Sequence, residues 1–211
     1  MRLPRRFSIL PLLLLTASAA PPPAAAAPDV RISEILAGPS RDWDGSGAFS
    51  SRDDEWIEIV NGGIAAADLS PYFVTDGDSI PRFAFTGTLA PGAVVLVTGA
   101  ASVAWERATS HPVFGLSLGN TGDSVMLWKV TGSDTTLVDS YTYKSFEAAS
   151  DRAVGRTADG ADWKLEDALN PYTGTTPPIG TGCAPTPGSP NDCGAVAATH
   201  ETWGRLKALY R

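Results

Sequence analysis

The chain has 211 residues, two cysteines and a formal net charge of −7. Its first 27 residues hold three arginines and no acid, so the remainder carries 13 basic against 23 acidic residues, a net charge of −10. Nucleic acid is therefore an unlikely partner, because binding to its phosphate backbone needs concentrated Lys and Arg. This charge favours solubility outside the cell and retention of divalent cations.

The first 27 residues are predicted to be a signal peptide followed by a Pro/Ala-rich tether. Three early arginines precede an apolar run over residues 7–15, and an Ala-Ser-Ala tripeptide follows. This order is typical of a secretory leader with its cleavage site, and a buried N-terminal helix is the less favoured alternative. The apolar run is shorter than the roughly 20 residues that cross a bilayer, and no later segment is long enough. We therefore expect a secreted, periplasmic or cell-surface protein with no transmembrane span in its mature chain.

The second segment, residues 28–193, is predicted to be one all-β domain. Apolar residues recur mainly with period two, and turn sequences rich in Gly, Asn and Asp separate the runs. A phase slip at Glu34 and Ile35 predicts a β-bulge in the first run. Seven short strands with frequent turns indicate a sandwich or a barrel. The run over residues 93–97 is apolar throughout, so that strand is expected to be buried on both faces. The predicted strands cover residues 30–35, 56–60, 72–74, 82–85, 93–97, 124–130 and 137–143.

The loop before the second strand has the spacing of a calcium-binding loop. Counted from Asp42, oxygen-bearing residues fall at positions 1, 3, 5, 9 and 12, and a glycine stands at position 6. Calcium takes six to eight oxygen ligands, and a chain that turns sharply at Gly aims alternate side chains inward. Ser at position 5 and Asp at position 12 predict weak binding, and a solvated acidic turn is the alternative. The predicted ligands are Asp42, Asp44, Ser46, the Ala48 carbonyl, Ser50 and Asp53.

Two further segments interrupt the strand pattern. Residues 100–107 are expected to form a short helix or a loop, with Trp105 covering a sheet edge. After Asp167 the chain becomes rich in Pro and Gly, and both cysteines, Cys183 and Cys193, lie in this extension. An exported location favours a disulfide between them. A two-cysteine metal site is less favoured because no partner His or Cys is near.

The last segment, residues 194–211, is predicted to be an amphipathic helical tail. Trp203, Leu206 and Tyr210 fall on one helical face, and Thr199 can cap the N-terminus. Thirteen residues with Gly204 inside are marginal for an isolated helix in water. The tail therefore needs a surface, either on its own domain or on a partner.

Residues 32–35, followed by residues 54–61, open an ordered set of motifs that resembles the set found in bacterial lamin-tail domains. The resemblance implies an immunoglobulin-like β-sandwich that serves for attachment, because family members are appended to exported nucleases and other surface proteins in bacteria and form the tails of nuclear lamins in animals. Here the module stands almost alone, which leaves its target open, and a fold does not settle function. The motifs cover residues 32–35, 54–61, 68–76, 87–97, 118–127 and 187–191.

These observations predict an exported, non-catalytic binding or attachment module, stabilised by calcium, that contacts a cell-surface or extracellular protein or glycan. The first alternative is a structural or assembly protein that uses its C-terminal tail for docking or sorting. A metal-dependent hydrolase acting through the acids at positions 53–58 is less favoured, because closeness in sequence does not establish a catalytic geometry. His111 and His200 are expected at the surface. Of the six tryptophans, Trp56 and Trp128 lie within predicted strands and are expected in the core, and Trp43 is the one expected to be open to a ligand.

Overall fold

The computed structural model describes residues 29–157 and 159–191, and it confirms the predicted all-β, immunoglobulin-like sandwich. A five-stranded antiparallel sheet has the order β11-β10-β1-β2-β7, and a four-stranded antiparallel sheet has the order β5-β4-β8-β9. The leader, Cys193 and the predicted helical tail lie outside the described residues.

Every predicted strand is present, and the structure adds four short ones that the sequence pattern did not reveal. The added strands are β3, β6, β10 and β11. The bounds in chain order are β1 Val30–Leu36, β2 Trp56–Asn61, β3 Ala67–Asp68, β4 Tyr72–Thr75, β5 Pro81–Ala84, β6 Thr88–Leu89, β7 Val94–Thr98, α1 Gly99–Ala108, β8 Gly122–Thr131, β9 Asp134–Lys144, β10 Ala153–Arg156 and β11 Trp163–Glu166.

The predicted bulge lies in β1. The pairing of β1 with β2 shifts between Ile32 and Glu34, so one extra residue stands on the β1 side. Ile32 and Ile35 therefore both face the interior, although they are three residues apart. The same shift turns the Glu34 side chain to the outer face of the five-stranded sheet, because side chains alternate along a strand.

The main core lies between the two sheets. Fully buried residues from the five-stranded sheet, such as Ile32 and Ile59, belong to one cluster with Val74 and Leu127 from the four-stranded sheet. Such packing of two inner faces is what holds a β-sandwich together. A second, smaller cluster lies on the outer side of the five-stranded sheet and contains Leu36, Trp56, Ala153, Trp43 and Leu96.

The run over residues 93–97 was expected to be buried on both faces, but β7 is the edge strand of its sheet. Most of its residues are only partly buried. Val97 faces the main core, while Leu96 packs against the outer cluster. Each face of β7 packs against an apolar cluster. This packing explains why both faces of the strand are apolar although β7 lies at the edge of the sheet.

The helix α1 begins directly after β7 and is fastened by a buried ion network. Residues 100–107, which were expected to form a short helix or a loop, are helical. Thr98 caps α1 by accepting the Ala101 amide at 3.1 Å. Arg82 of β5 is 2 % exposed and donates to Asp76 at 2.6 Å, and its Nη1 lies 3.8 Å from Glu106 on α1. This network joins the helix to the four-stranded sheet.

Candidate functional site

The start of the acidic loop between β1 and β2 is fixed by a distant aspartate, Asp151. Asp151 accepts the Ser40 amide at 2.9 Å, the Ser40 hydroxyl, the Arg41 Nε at 3.0 Å and the Trp43 indole at 2.9 Å. Burial opposes ionisation of Asp151, but these hydrogen bonds outweigh burial and lower its pKa. An ionised acceptor gives strong hydrogen bonds, so the loop entrance is held firmly against the turn before β10.

The middle of the loop folds around the buried carboxylate of Asp54, which is 0 % exposed. One Asp54 oxygen accepts the amides of Trp43 at 2.6 Å and Asp44 at 2.9 Å, and the other accepts the amide of Ser50 at 2.7 Å. Three backbone donors from both halves of the loop thus converge on one side chain. This convergence closes the loop.

The exposed tip of the loop brings four of the predicted calcium ligands together. Asp42 accepts the Ser46 amide at 3.0 Å and the Gly47 amide at 2.7 Å, and Asp44 accepts the Ser46 amide at 2.9 Å. The Ser46 hydroxyl donates to the Ala48 carbonyl at 3.0 Å. Gly47 has a φ of 88°, a left-handed conformation that glycine adopts without steric cost.

Oxygens from Asp42, Asp44 and Asp54 all lie within 4.8 Å of one another. These three carboxylates form an oxygen-only donor set, the type that calcium prefers, and the Ser46 hydroxyl and the Ala48 carbonyl lie in the same loop. The carboxylates already accept backbone N–H groups, so water would have to supply part of a calcium coordination shell. The donor set therefore fits a weak calcium site.

The structure places the other two predicted ligands differently. Asp53 accepts the Arg52 Nε at 2.7 Å, and this hydrogen bond lowers the Asp53 pKa. The Ser50 hydroxyl accepts the Asp53 amide at 3.2 Å. One helical turn, in which the Asp54 amide donates to the Ser50 carbonyl at 3.1 Å, directs Asp54 into the loop. Asp54, not Asp53, is thus the third carboxylate of the group.

Trp43, expected to be open to a ligand, is half-buried. Its ring meets Trp56 edge-on with 6.1 Å between centroids, and its indole N–H is used by Asp151. This arrangement makes Trp43 part of the outer apolar cluster. Its packing gives no support to a role in glycan stacking.

The acids after the loop point to different parts of the molecule. Glu55 accepts the Leu118 amide at 3.1 Å, and Glu58 accepts the Gly188 amide at 2.9 Å. Burial raises the pKa of Glu55 to about 8 and that of Glu58 to about 7. Asp54, Glu55 and Glu58 therefore accept hydrogen bonds from three separate parts of the molecule, and they do not form one site.

The predicted disulfide stays a prediction. Cys183 is 7 % exposed, and its amide donates to the Thr181 hydroxyl at 3.2 Å. Its expected partner, Cys193, lies outside the described residues. Of the two histidines, His200 also lies outside them, while His111 is at the surface, where its ring stacks on Trp105 with 4.5 Å between centroids.

The outer side of the four-stranded sheet carries an apolar surface that the sequence did not reveal. Phe73 of β4 pairs with Trp128 of β8, and their rings stack at 6.4 Å with an interplanar angle of 13°. Leu137, opposite Trp128 on β9, is 49 % exposed, and Val130 is 41 % exposed. We call these four residues the aromatic face. Trp128 was expected in the core, but it is only half-buried and lies on the opposite side of β8 from Leu127.

A groove of about 680 Å³ borders the aromatic face. Phe73 and Val130 line it together with Trp105 and His111, and the Asp68 and Ser70 side chains add polar groups. The groove is therefore mostly apolar and partly aromatic, with hydrogen-bonding capacity at one side.

The comparisons with known proteins agree with this architecture. The family model described as Lamin Tail Domain matches residues 23–145, more than half of the chain. The chain matches no curated protein and no solved structure. Over the described residues, no helix is both long and apolar enough to cross a membrane. Since the family model covers more than half of the chain and the fold is a β-sandwich, the chain belongs to the Lamin Tail Domain family of immunoglobulin-like domains.

Proposed function

We propose that this chain is an exported, non-catalytic attachment module that binds a cell-surface or extracellular partner through its aromatic face. The observation that carries the proposal is the stacked pair Phe73–Trp128, flanked by exposed Leu137 and Val130. Export rests on the leader-like residues 1–27. Calcium, held by the loop between β1 and β2, is proposed to stabilise the module.

The aromatic face supports binding because it is contiguous and apolar on a strongly acidic protein. Isolated apolar side chains are common at surfaces, but contiguous patches bordered by polar groups often mark interaction sites. Aromatic side chains are also enriched at protein interfaces, since they bury a large area with few rotatable bonds. Among the two partner classes, the flanking aliphatic residues Leu137 and Val130 favour a protein over a glycan.

A binding assay tests the aromatic face. Labelled mature protein is added to cells of the producing organism, and bound label is measured for wild type, Leu137→Asp and a control, Ile64→Asp. Ile64 is 81 % exposed in the turn after β2, so the control adds the same charge away from the face. We expect Leu137→Asp to weaken binding by about tenfold or more, since a desolvated charge at an interface costs more than about 1.4 kcal/mol. Ile64→Asp should bind like wild type.

Two outcomes would contradict this part of the proposal. Equal binding of wild type and Leu137→Asp would show that the aromatic face is not used. The second outcome is binding that survives protease treatment of the cells but is lost after periodate oxidation of their glycans. That result would identify the partner as a glycan and not a protein.

Thermal unfolding tests the calcium part. Wild type is melted in excess calcium and in EGTA, beside Asp44→Asn and a control, Asp134→Asn, which removes an exposed acid from the β8–β9 hairpin. Calcium at about 100 times its Kd should stabilise wild type by about 2.7 kcal/mol. Asp44→Asn should lose most of this gain, and Asp134→Asn should keep it. Identical wild-type melting temperatures in calcium and in EGTA would contradict calcium binding.

A further inference from the structure

Two buried glutamates face each other on the outer side of the five-stranded sheet. Glu34 of β1 pairs directly with Glu58 of β2, and both are 0 % exposed. Side chains of directly opposed residues in antiparallel strands start about 4.5–5.5 Å apart at Cβ. Two carboxyl groups are therefore held close together in a place without solvent.

The segment over residues 186–191, here called the closing segment, lies across this pair. The Thr186 amide donates to Glu34 at 3.1 Å, and the Thr186 hydroxyl donates to Glu34 at 2.6 Å. The Gly188 amide donates to Glu58 at 2.9 Å. Asn191 extends the attachment through its side-chain amide, which donates to the Ser33 carbonyl at 2.9 Å. Much of the contact between the closing segment and the sheet thus runs through the two carboxyl groups.

No basic side chain neutralises the pair within the part of the chain that the structure describes. No ion pair there involves Glu34 or Glu58. The neighbouring strands place uncharged residues opposite them, Gly155 beside Glu34 and Leu96 beside Glu58. Two charged side chains of β11 are nearby. Glu166 is a third acid and adds repulsion, while Lys164 pairs opposite Gly155 but is exposed and forms no ion pair with Glu34 or Glu58.

The closing segment supplies only uncharged donors, including Thr186, Gly188 and Ser189. Arg156 is the arginine of β10, and its guanidinium donates to Asp139 at 2.7 Å. One carboxyl oxygen of the pair, Glu58 Oε1, is buried and has no hydrogen-bond partner among the residues that the structure describes. Two anions in this setting would repel each other with no compensating charge, which is strongly unfavourable.

We propose that Glu34 and Glu58 form a proton-dependent latch for the closing segment. At least one proton resides on the pair while the segment is closed. As the pH rises, that proton passes to solvent, the two anions repel each other, and the closing segment opens so that water can solvate them.

The direction of the pH dependence follows from proton binding. Burial raises the pKa of Glu34 to about 8, with Thr186 opposing and Glu58 and Glu166 adding to the rise, and burial raises the pKa of Glu58 to about 7. The closed state therefore holds more protons than the open state between about pH 4.5 and pH 8. Stability of the closed state is full below this window and falls as the pH rises through it.

Hydrogen exchange of the closing segment tests the latch. The opening constant is measured for a peptide that covers residues 186–191, after correction for the intrinsic pH dependence of exchange. In wild type we expect it to rise by about tenfold or more between pH 6 and pH 8, since each proton released on opening contributes up to about tenfold per pH unit. Glu58→Gln keeps the shape but leaves only Glu34 to ionise, so its rise should be clearly smaller than that of wild type. Glu34→Gln combined with Glu58→Gln leaves no ionisable group in the pair, so the rise of that double variant should be about threefold or less.

Glu147→Gln is the matched control, because Glu147 is another buried acid with a raised pKa that contacts Tyr141 and not the closing segment. It should leave the wild-type profile of the closing segment unchanged. Carbon-13 NMR titration of the glutamate carboxyl carbons gives an independent measurement should Glu58→Gln fold poorly.

Three results would overturn the latch. The first is the same pH profile in wild type and Glu58→Gln. The second is a pair of carboxyl carbons that titrate below pH 5. The third is protection of the closing segment by added sodium, magnesium or calcium at pH 8 in wild type but not in Glu58→Gln, which would make the pair a cation site.

Discussion

Replacing Asp54 by asparagine separates the structural role of the acidic loop from metal binding. Measured in EGTA, the substitution removes only what the carboxylate does for the loop. One Asn oxygen can still accept the amides of Trp43 and Asp44, which share an Asp54 oxygen in the native loop. The amide nitrogen of Asn would then face the Ser50 amide, now 2.7 Å from Asp54, and place two donors against each other.

The expected cost follows from these contacts. A hydrogen bond to a charged group contributes about 1.5–3 kcal/mol, and a buried donor without a partner costs about 1–3 kcal/mol. The two terms overlap, so we expect Asp54→Asn to lower the free energy of unfolding by about 2–4 kcal/mol. For a domain of this size, each kcal/mol corresponds to about 2–4 °C in melting temperature.

Urea unfolding in EGTA, followed by tryptophan fluorescence, measures the cost. Asp42→Asn is the control, because Asp42 is exposed at the loop tip and should lose less than about 1 kcal/mol in EGTA. A loss below about 1 kcal/mol for Asp54→Asn would refute the reasoning, since the loop would then not depend on the convergence of three amides on this carboxylate.

The remaining predictions concern the body of the sandwich and are checked by the same unfolding measurement. Arg82→Leu should destabilise by about 3–5 kcal/mol, because it leaves buried carboxylates without their cation, and a loss under about 1 kcal/mol would contradict this. Gly99→Ala should lower the free energy of unfolding by at least about 1–3 kcal/mol, because its Cβ would lie 1.8 Å from the Arg52 carbonyl oxygen. The control Ala104→Ser, on the exposed side of α1, should change that free energy by no more than about 0.5 kcal/mol. Leu127→Ala should cost about 2–5 kcal/mol, since Leu127 is 0 % exposed in the main core, and a near-neutral result would mean that this core position repacks.

Patterns within one segment were enough to predict the local structure. Val30 and Ile32 alternate with polar residues, and the slip at Glu34 predicted a bulge that the pairing of β1 with β2 confirms. The tip of the acidic loop was also predictable, because its hydrogen bonds join residues only a few positions apart: Asp42 and Asp44 accept backbone amides, and the Ser46 hydroxyl donates to the Ala48 carbonyl. The spacing of residues along the chain is therefore enough to predict contacts over such short sequence distances.

The sequence pattern did not predict which of two adjacent residues with similar side chains points inward. Asp53 and Asp54 are adjacent acids, and only the turn at Ser50 decides which carboxylate enters the loop. In β8 both faces are apolar, so period two cannot tell whether Leu127 or Trp128 points inward. The sheet packing decides, and it leaves Trp128 on the outer face.

By itself, the sequence determined seven of the eleven strands that the structure describes, the bulge, the loop tip and the family, since each depends on residue order over short distances. Only the tertiary structure brought Glu34 opposite Glu58 and laid residues 186–191 over them. The physical reason is that burial and strand register depend on which distant segments pack together. An exposed glutamate and a buried, uncompensated one are the same letter in a sequence, but they differ greatly in the cost of their charge.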